Sequence, residues 1–240
     1  MVREKVRPWR EEQGEVLARR AEALSERLAK TVLKSCPSAQ RGLDVGGGDG
    51  VITGSLAKVL KMDIVLLDPD VDSLPSRSET EVRPVRGSGT RLPFRDTSFD
   101  VVFLVSVLEH VSPRKNRLEL LREARRVLRK DGIVVGQVPN MNFPVEIHSK
   151  LPLLQFLPRS LARPYFDRCS PVPAERKSRY GINWYRVGPT AIHSEAQEAG
   201  FCDVAIWGAN LPRAALPSAF RFAAPITRLI PMNYDFCFRR

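Results

Sequence analysis

The chain has 240 residues and a mass of 27.0 kDa, long enough to bury about 70 to 75% of the surface its unfolded form exposes, which excludes a disulfide-stapled miniprotein. Apolar residues make up 43% and charged residues 27%, the composition of a globular domain and not of a disordered chain or a coiled coil. The net charge is +11, and residues 112–130 and 149–186, each with eight bases and two acids, account for it, so the remainder is close to neutral.

Residues 8–35 read as an amphipathic helix, because Leu17, Ala21, Leu24, Leu28 and Val32 recur at spacings of three or four among Glu and Arg. Residues 1–38 are therefore expected to form an N-terminal cover helix. Beyond the break at Pro37 and Ser38, short apolar runs alternate with helical stretches. The predicted strands are 41–45, 64–67, 82–86, 99–105 and 133–138; the predicted helices are 51–60 and 114–129. Such alternation implies mostly parallel strands joined by right-handed crossovers, an α/β Rossmann-like doubly wound sheet covered on both faces. Residues 139–187 hold seven prolines and exceed an ordinary connection, so they are expected to form an inserted lid. The alternation resumes with a helix at 189–199 stopped by Gly200 and a strand at 201–207. A Pro-broken helical stretch at 210–231 and a last strand at 234–238 complete what is expected to be a single domain over 1–240.

The longest nearly apolar run, residues 101–108, is interrupted by Ser106 and falls short of the roughly 18 residues a membrane span needs. The chain opens with Arg3, Lys5, Arg7 and Arg10 and continues into mixed charge, so no secretory signal and a cytoplasmic location are expected. Cys36, Cys169, Cys202 and Cys237 lie far apart with no CxxC pair, so no metal site is expected, and the thiols are predicted to be free and mostly buried.

The sharpest signal is Leu43, Asp44, Val45, Gly46, Gly47, Gly48, Asp49, Gly50, placed at the end of the first strand and opening a helix. Glycines there allow a tight turn and close approach of backbone to a ligand, at the strand end where open α/β sheets bind. The dinucleotide pattern GxGxxG would need glycine at position 51, where Val51 stands. Asp44 and Asp49 would also repel a pyrophosphate, so NAD is the poorer fit. Leu67, Asp68, Pro69, Asp70 follow at the end of the second strand, and a carboxylate at that position can accept hydrogen bonds from both hydroxyls of a ribose.

Three blocks together resemble the class I S-adenosylmethionine-dependent methyltransferases, in particular the type 11-like subfamily. They are residues 44–50; Gly87, Ser88, Gly89, Thr90, Arg91, Leu92, Pro93, Phe94 with Asp96, Ser98, Phe99, Asp100; and Val107, Leu108, Glu109, His110, Val111 followed by a basic helix and Asp131, Gly132. The resemblance is strong over about residues 40–140 and weaker over 188–240. It implies a seven-stranded sheet whose last strand is antiparallel, with S-adenosyl-L-methionine as cofactor and S-adenosyl-L-homocysteine as product. By position it implies that Asp44, Gly46, Gly47 and Gly48 form the cofactor loop, with Gly46 and Gly48 at the methionine end. Asp68 and Pro69 would hold the ribose, Ser88 and Gly89 would flank the adenine, and Val105 and Ser106 would face the sulfonium. Many relatives carry an acid for the adenine amino group where this chain has Ser88.

Methyl transfer is an in-line displacement that depends on alignment in a dry site, and a base is needed only for a hydroxyl or a protonated amine. The candidate bases are His110, after the fourth strand, and His148, on the insert with Glu146 as a partner; His193 is expected to be structural. Leu151, Leu153, Leu154, Phe156 and Leu157, with Arg159, Arg163 and Arg168, either meet a lipid headgroup or an anionic lipid-linked substrate, or pack as a lid with solvated arginines. The basic helix 114–130 invites a nucleic-acid reading. Against it, Leu118, Leu121, Ala124 and Leu128 form a sheet-facing side, and Glu119 and Glu123 can pair with Arg122 and Arg126. The leading expectation is methyl transfer to an oxygen of a small-molecule, glycan or lipid-linked acceptor. RNA methylation and a non-catalytic cofactor-binding partner or sensor are the alternatives.

Overall fold

Residues 99–105 are apolar on both faces of an extended chain, apart from Asp100, and such a strand is stable only where both faces are covered. In the computed structural model, which describes residues 7–70, 82–146, 149, 151–172, 187–210 and 229–240, this run is β4 (Phe99–Val105), at the centre of the sheet. With β1 (Arg41–Val45), β2 (Asp63–Asp68), β3 (Arg83–Arg86), β5 (Leu128–Pro139), β6 (Asp203–Ala209) and β7 (Asn233–Arg239) it forms seven strands in the order β3-β2-β1-β4-β5-β7-β6. The first five are parallel, and β7 runs antiparallel between β5 and β6. The order reverses between β1 and β4, so the carboxyl ends of these two strands flank the crevice where ligands bind in such sheets.

Alternate side chains of the same strands feed two cores. Toward α1 (Arg7–Ser35) and α2 (Val51–Leu60), Val101, Phe103, Val105, Ile133 and Val135 pack with Leu24, Leu28, Val32 and Leu56. Toward α3 (Arg114–Val127) and α5 (Pro189–Glu198), after the insert helix α4 (Arg159–Cys169), Val102, Leu104, Val134 and Val138 pack with Leu120, Leu121, Ala124, Ile192 and Phe236. The buried pair Arg117 and Glu195 ties α3 to α5 through two hydrogen bonds of 3.0 and 2.7 Å. Arg27 of α1 reaches Gln137 at 2.7 Å and Asp235 at 3.1 Å, so the cover helix is fastened to β5 and β7. Burial pushes the Asp235 carboxyl up, against the attraction of Arg27.

Several boundaries differ from the sequence reading. β5 begins at Leu128, five residues earlier than expected, because Leu128 already pairs with Phe99 across a register shift; α3 accordingly ends at Val127. β6 lies two residues later than expected, since its ladder with β7 runs from Asp203 to Ala209 while Phe201 is committed to the core. Glu119 pairs with Lys115 and not with a neighbouring arginine. The thiols are not mostly buried: Cys237 is buried, Cys36 half-buried, and Cys169 and Cys202 exposed, because the latter two lie outside both core clusters. Most of the helical stretch expected at 210–231 lies outside the described residues. No helix among the described residues is long and apolar enough to cross a membrane.

The tightest backbone approach sets a testable limit. A Cβ on Gly136 would lie 2.1 Å from the Leu104 carbonyl oxygen and 2.5 Å from Phe236 Cζ. Neither the ladder partner nor the buried ring has room to yield. Gly136→Ala is expected to lower the unfolding free energy by about 3 kcal/mol or more, read from the denaturant midpoint.

Candidate active site

The glycine loop works because its glycines do different jobs. Gly46 (φ 74°) and Gly48 (φ 56°) adopt left-handed backbone, and Gly50 (φ 76°) caps α2 in the same region, where a side chain is strained. A Cβ on Gly46 would meet Val107 at 2.9 Å, and one on Gly47 would meet Leu66 at 2.7 Å and Thr53 at 2.9 Å. On Gly48 it would meet nothing within 4 Å. Gly46 and Gly47 thus let the loop pack down on the sheet, and Gly48 leaves its side of the crevice open.

The carboxylate of Asp68, at the end of β2, accepts the Gly48 N–H at 3.0 Å and the Asp70 N–H at 2.8 Å. The loop is also tied down by Gly46 N–H donating to the Leu67 carbonyl at 2.7 Å. Pro69 beside Asp68 is exposed. Asp44 lies beneath the loop, fully buried, and accepts the Thr53 hydroxyl at 2.6 Å. Burial pushes its carboxyl up to about 6; the Thr53 hydrogen bond opposes the shift and the neighbouring Asp68 adds to it. At the end of β3, Gly87 N–H donates to the Asp68 carbonyl at 3.2 Å. Gly89 lies where a Cβ would strike Leu120 and Val45 at 2.9 and 3.0 Å. The Ser88 hydroxyl is 2.9 Å from that of Thr90, so it is engaged in its own turn.

Val105 packs into the core under α1, which leaves Ser106 at the mouth of β4. Ser106 is one of few non-glycine residues with positive φ (57°), a conformation that persists only where the surroundings fix it. Its N–H donates to the Gln137 carbonyl at 2.9 Å, and Gln137 in turn accepts Arg27 through its side chain. Arg27 thereby links the cover helix to the site through one intermediate.

The acidic residue that sequence reasoning did not single out is Glu109. It lies in a 3-10 turn (Leu108–His110) with 1% exposure. Burial and the nearby Glu146 push its carboxyl up to about 8, against its own N–H and the Ser106 hydroxyl. Glu146, at the start of the insert, is also buried and accepts the Ser149 N–H. The signal available was an acid set among Val107, Leu108 and Val111, since a charge within an apolar run is costly unless used. His110 closes this 3-10 turn, with its residue exposed, and α3 starts four residues later, at Arg114 as expected. His148 lies outside the described residues, and His193 is exposed on α5. Next to Glu146, a crevice lined by Asn140, Met141, Phe143, Gln155 and Met232 opens beyond the end of β5.

The sheet order, the glycine loop and the carboxylate at the end of β2 together form the crevice in which open α/β sheets of this kind bind nucleoside ligands. Residues 43–136 match the family described as the methyltransferase domain. An uncharacterized methyltransferase of Mycobacterium sp. strain KMS is 36% identical over 110 residues, covering 45% of this chain and 42% of that protein. The tRNA (carboxymethyluridine(34)-5-O)-methyltransferase of Saccharomyces cerevisiae is 29% identical over 110 residues, covering 42% of this chain and 36% of its own length. The chain therefore spans about two fifths of the curated relatives it matches. An S-adenosylmethionine-dependent methyltransferase structure from Thermotoga maritima superposes with a TM-score of 0.60 at 18% identity, over 97% of this chain and 96% of the other. That likeness shows the fold. The open side of Gly48 beside the Asp68 carboxylate fits the nucleoside cofactor of this family.

Glu109 gives the site a pH signature. Its carboxyl rises from 4.5 to about 8 on folding, so the folded chain holds a proton that the unfolded chain has released. This contribution is favourable below about pH 4.5 and is lost as pH rises toward 8. Glu109→Gln is expected to leave stability nearly unchanged at pH 4 and to raise it at pH 9, by a margin on the order of 4 kcal/mol. Denaturant unfolding at the two pH values checks this.

Proposed function

We propose that this chain transfers a methyl group from S-adenosyl-L-methionine to an oxygen of a small-molecule, glycan or lipid-linked acceptor. The observation that carries the reading is the Gly48 and Asp68 pair, hydrogen-bonded at 3.0 Å with open space beside Gly48. Asp68 would accept both ribose hydroxyls, and Gly46 to Gly48 would border the methionine end. Ser88 and Gly89 would flank the adenine, and Ser106 would face the reacting carbon. When bound, the cofactor supplies a methyl group on a cationic sulfur. The acceptor enters over β4 and β5, beneath residues 139–187 acting as a lid.

Holding the nucleophile in line and excluding water supplies much of such a rate. Glu109 stands beside Ser106 and keeps its proton up to about pH 8, so it serves as a base for an acceptor hydroxyl only above that pH, once it is ionised. His110, and His148 with Glu146, are the further candidates for that role.

An RNA acceptor has one relative in its favour, the tRNA-modifying yeast protein, and one physical argument against it. The basic helix α3 is largely neutralised: Arg114 pairs with Glu198, Arg117 with Glu195, and Arg126 with Glu123 and Asp96. Bases already held by acids release few counterions to a phosphate backbone.

Calorimetry with S-adenosylmethionine and S-adenosylhomocysteine tests the reading. Asp68→Ala is expected to weaken binding about fiftyfold, since it removes charge-assisted hydrogen bonds to two hydroxyls. Gly48→Ala is expected to weaken binding while the protein stays folded. Gly47→Ala, whose Cβ strikes Leu66, is expected to lower stability first. Unchanged affinity in Asp68→Ala refutes the assignment. Tight binding with no turnover on any acceptor fraction favours the sensor alternative.

A further inference from the structure

The insert carries a surface that cofactor binding does not use. Leu153, Phe156, Leu157 and Leu161 are 55%, 49%, 36% and 59% exposed. These are four of the nine large apolar side chains that stand in solvent among the described residues, and all four fall within nine positions of sequence. Leu151, Leu154, Ala162 and Phe166, interleaved with them, form a buried cluster of their own. The segment therefore has an inner apolar face that is satisfied and an outer one that is displayed.

The displayed face is held in place. Leu153 N–H donates to the Pro144 carbonyl at 2.7 Å, Glu146 N–H to the Leu151 carbonyl at 2.8 Å, and the Gln155 amide to the Phe143 carbonyl. Leu153 itself is fixed in left-handed backbone, φ 58°, with its side chain pointing to water. Exposed arginines border the apolar group: Arg163 pairs with Asp167 at 2.8 Å, while Arg159 and Arg168 form no ion pair among the described residues.

We infer that residues 153–168 form a docking surface for an anionic lipid bilayer, with Leu153, Phe156, Leu157 and Leu161 entering the headgroup boundary and Arg159 and Arg168 meeting lipid phosphates. The combination of exposed apolar side chains with unneutralised cations is what such an interface requires. A second copy of this chain would bring like charges together, on a chain whose net charge is already +11. A stretch this short also offers far less than the roughly 1,200 Å² that stable protein interfaces bury. None of the described helices spans a bilayer, so the contact is peripheral. Gln155 of this segment also lines the crevice beyond β5, so the surface borders the carboxyl end of the sheet. Under the reading in the preceding subsection, on which this last step rests, the acceptor is an amphiphile drawn from the lipid surface.

Co-sedimentation of the full chain with phosphatidylcholine vesicles, with and without about 30% phosphatidylglycerol, tests the surface. The protein is expected to sediment with the anionic vesicles only, and added salt to release it. Phe156→Ser with Leu161→Ser is expected to lower partitioning about tenfold or more. Arg159→Gln with Arg168→Gln is expected to lower it by about fivefold per charge. Both double variants are to retain the wild-type affinity for S-adenosylmethionine in calorimetry, which separates the surface from the site. The inference is overturned if the wild type stays in the supernatant, if the variants sediment as well as it does, or if ultracentrifugation finds a dimer that the Phe156 and Leu161 changes abolish. Vesicle binding without cofactor binding would leave the surface standing and sink the reading of the site.

Discussion

The structure of the site depends on one carboxylate. Asp68 ends β2, and its two oxygens are divided between the Gly48 N–H of the neighbouring loop and the Asp70 N–H of its own. Two loops that leave adjacent strands are thus held on the same side of the crevice. A carboxylate in this position is a strut, because each backbone N–H it accepts would otherwise need water. Asp44 lies under the same loop and faces Thr53, so the glycine turn is supported by acids from above and below.

Around this point the fold is fastened by buried polar pairs as well as by apolar packing. Arg117 with Glu195 joins α3 to α5, and Arg27 with Gln137 and Asp235 joins α1 to the sheet. Pairs of this kind add little net stability compared with apolar residues of the same volume, but loss of one member leaves a buried charge and costs about 3 to 5 kcal/mol. Their contribution is geometric. The Arg27 chain ends at the strained Ser106, so the position of the cover helix and the conformation at the mouth of β4 are determined together.

Much of this was legible in the sequence. The runs at 41–45, 51–60 and 99–105 are bounded by glycine and turn residues and came out at the observed limits. The glycine loop and Asp68 could be read because their backbone demands fall on fixed residue types at fixed spacing. Glu109 could not be read in the same way. What makes it chemically distinctive is enclosure by residues distant in sequence, Glu146 among them, and that approach has no local signature. The boundaries of β5 and β6 were missed for a related reason: pairing partners, Phe99 for one and β7 for the other, decided where those strands begin. Val105 was expected at the cofactor, but alternation along β4 turns it into the core, and only its neighbour Ser106 stands at the opening.

The position of β7 bears on how the molecule is made. It lies between β5 and β6 and hydrogen-bonds to both, so β6, though synthesised earlier, has no place in the sheet until residues 233–239 have emerged from the ribosome. During that interval the nascent chain carries a bare β5 edge and is exposed to capture by other chains. Chaperones that cover unpaired edges would act on this one until β7 pairs with it.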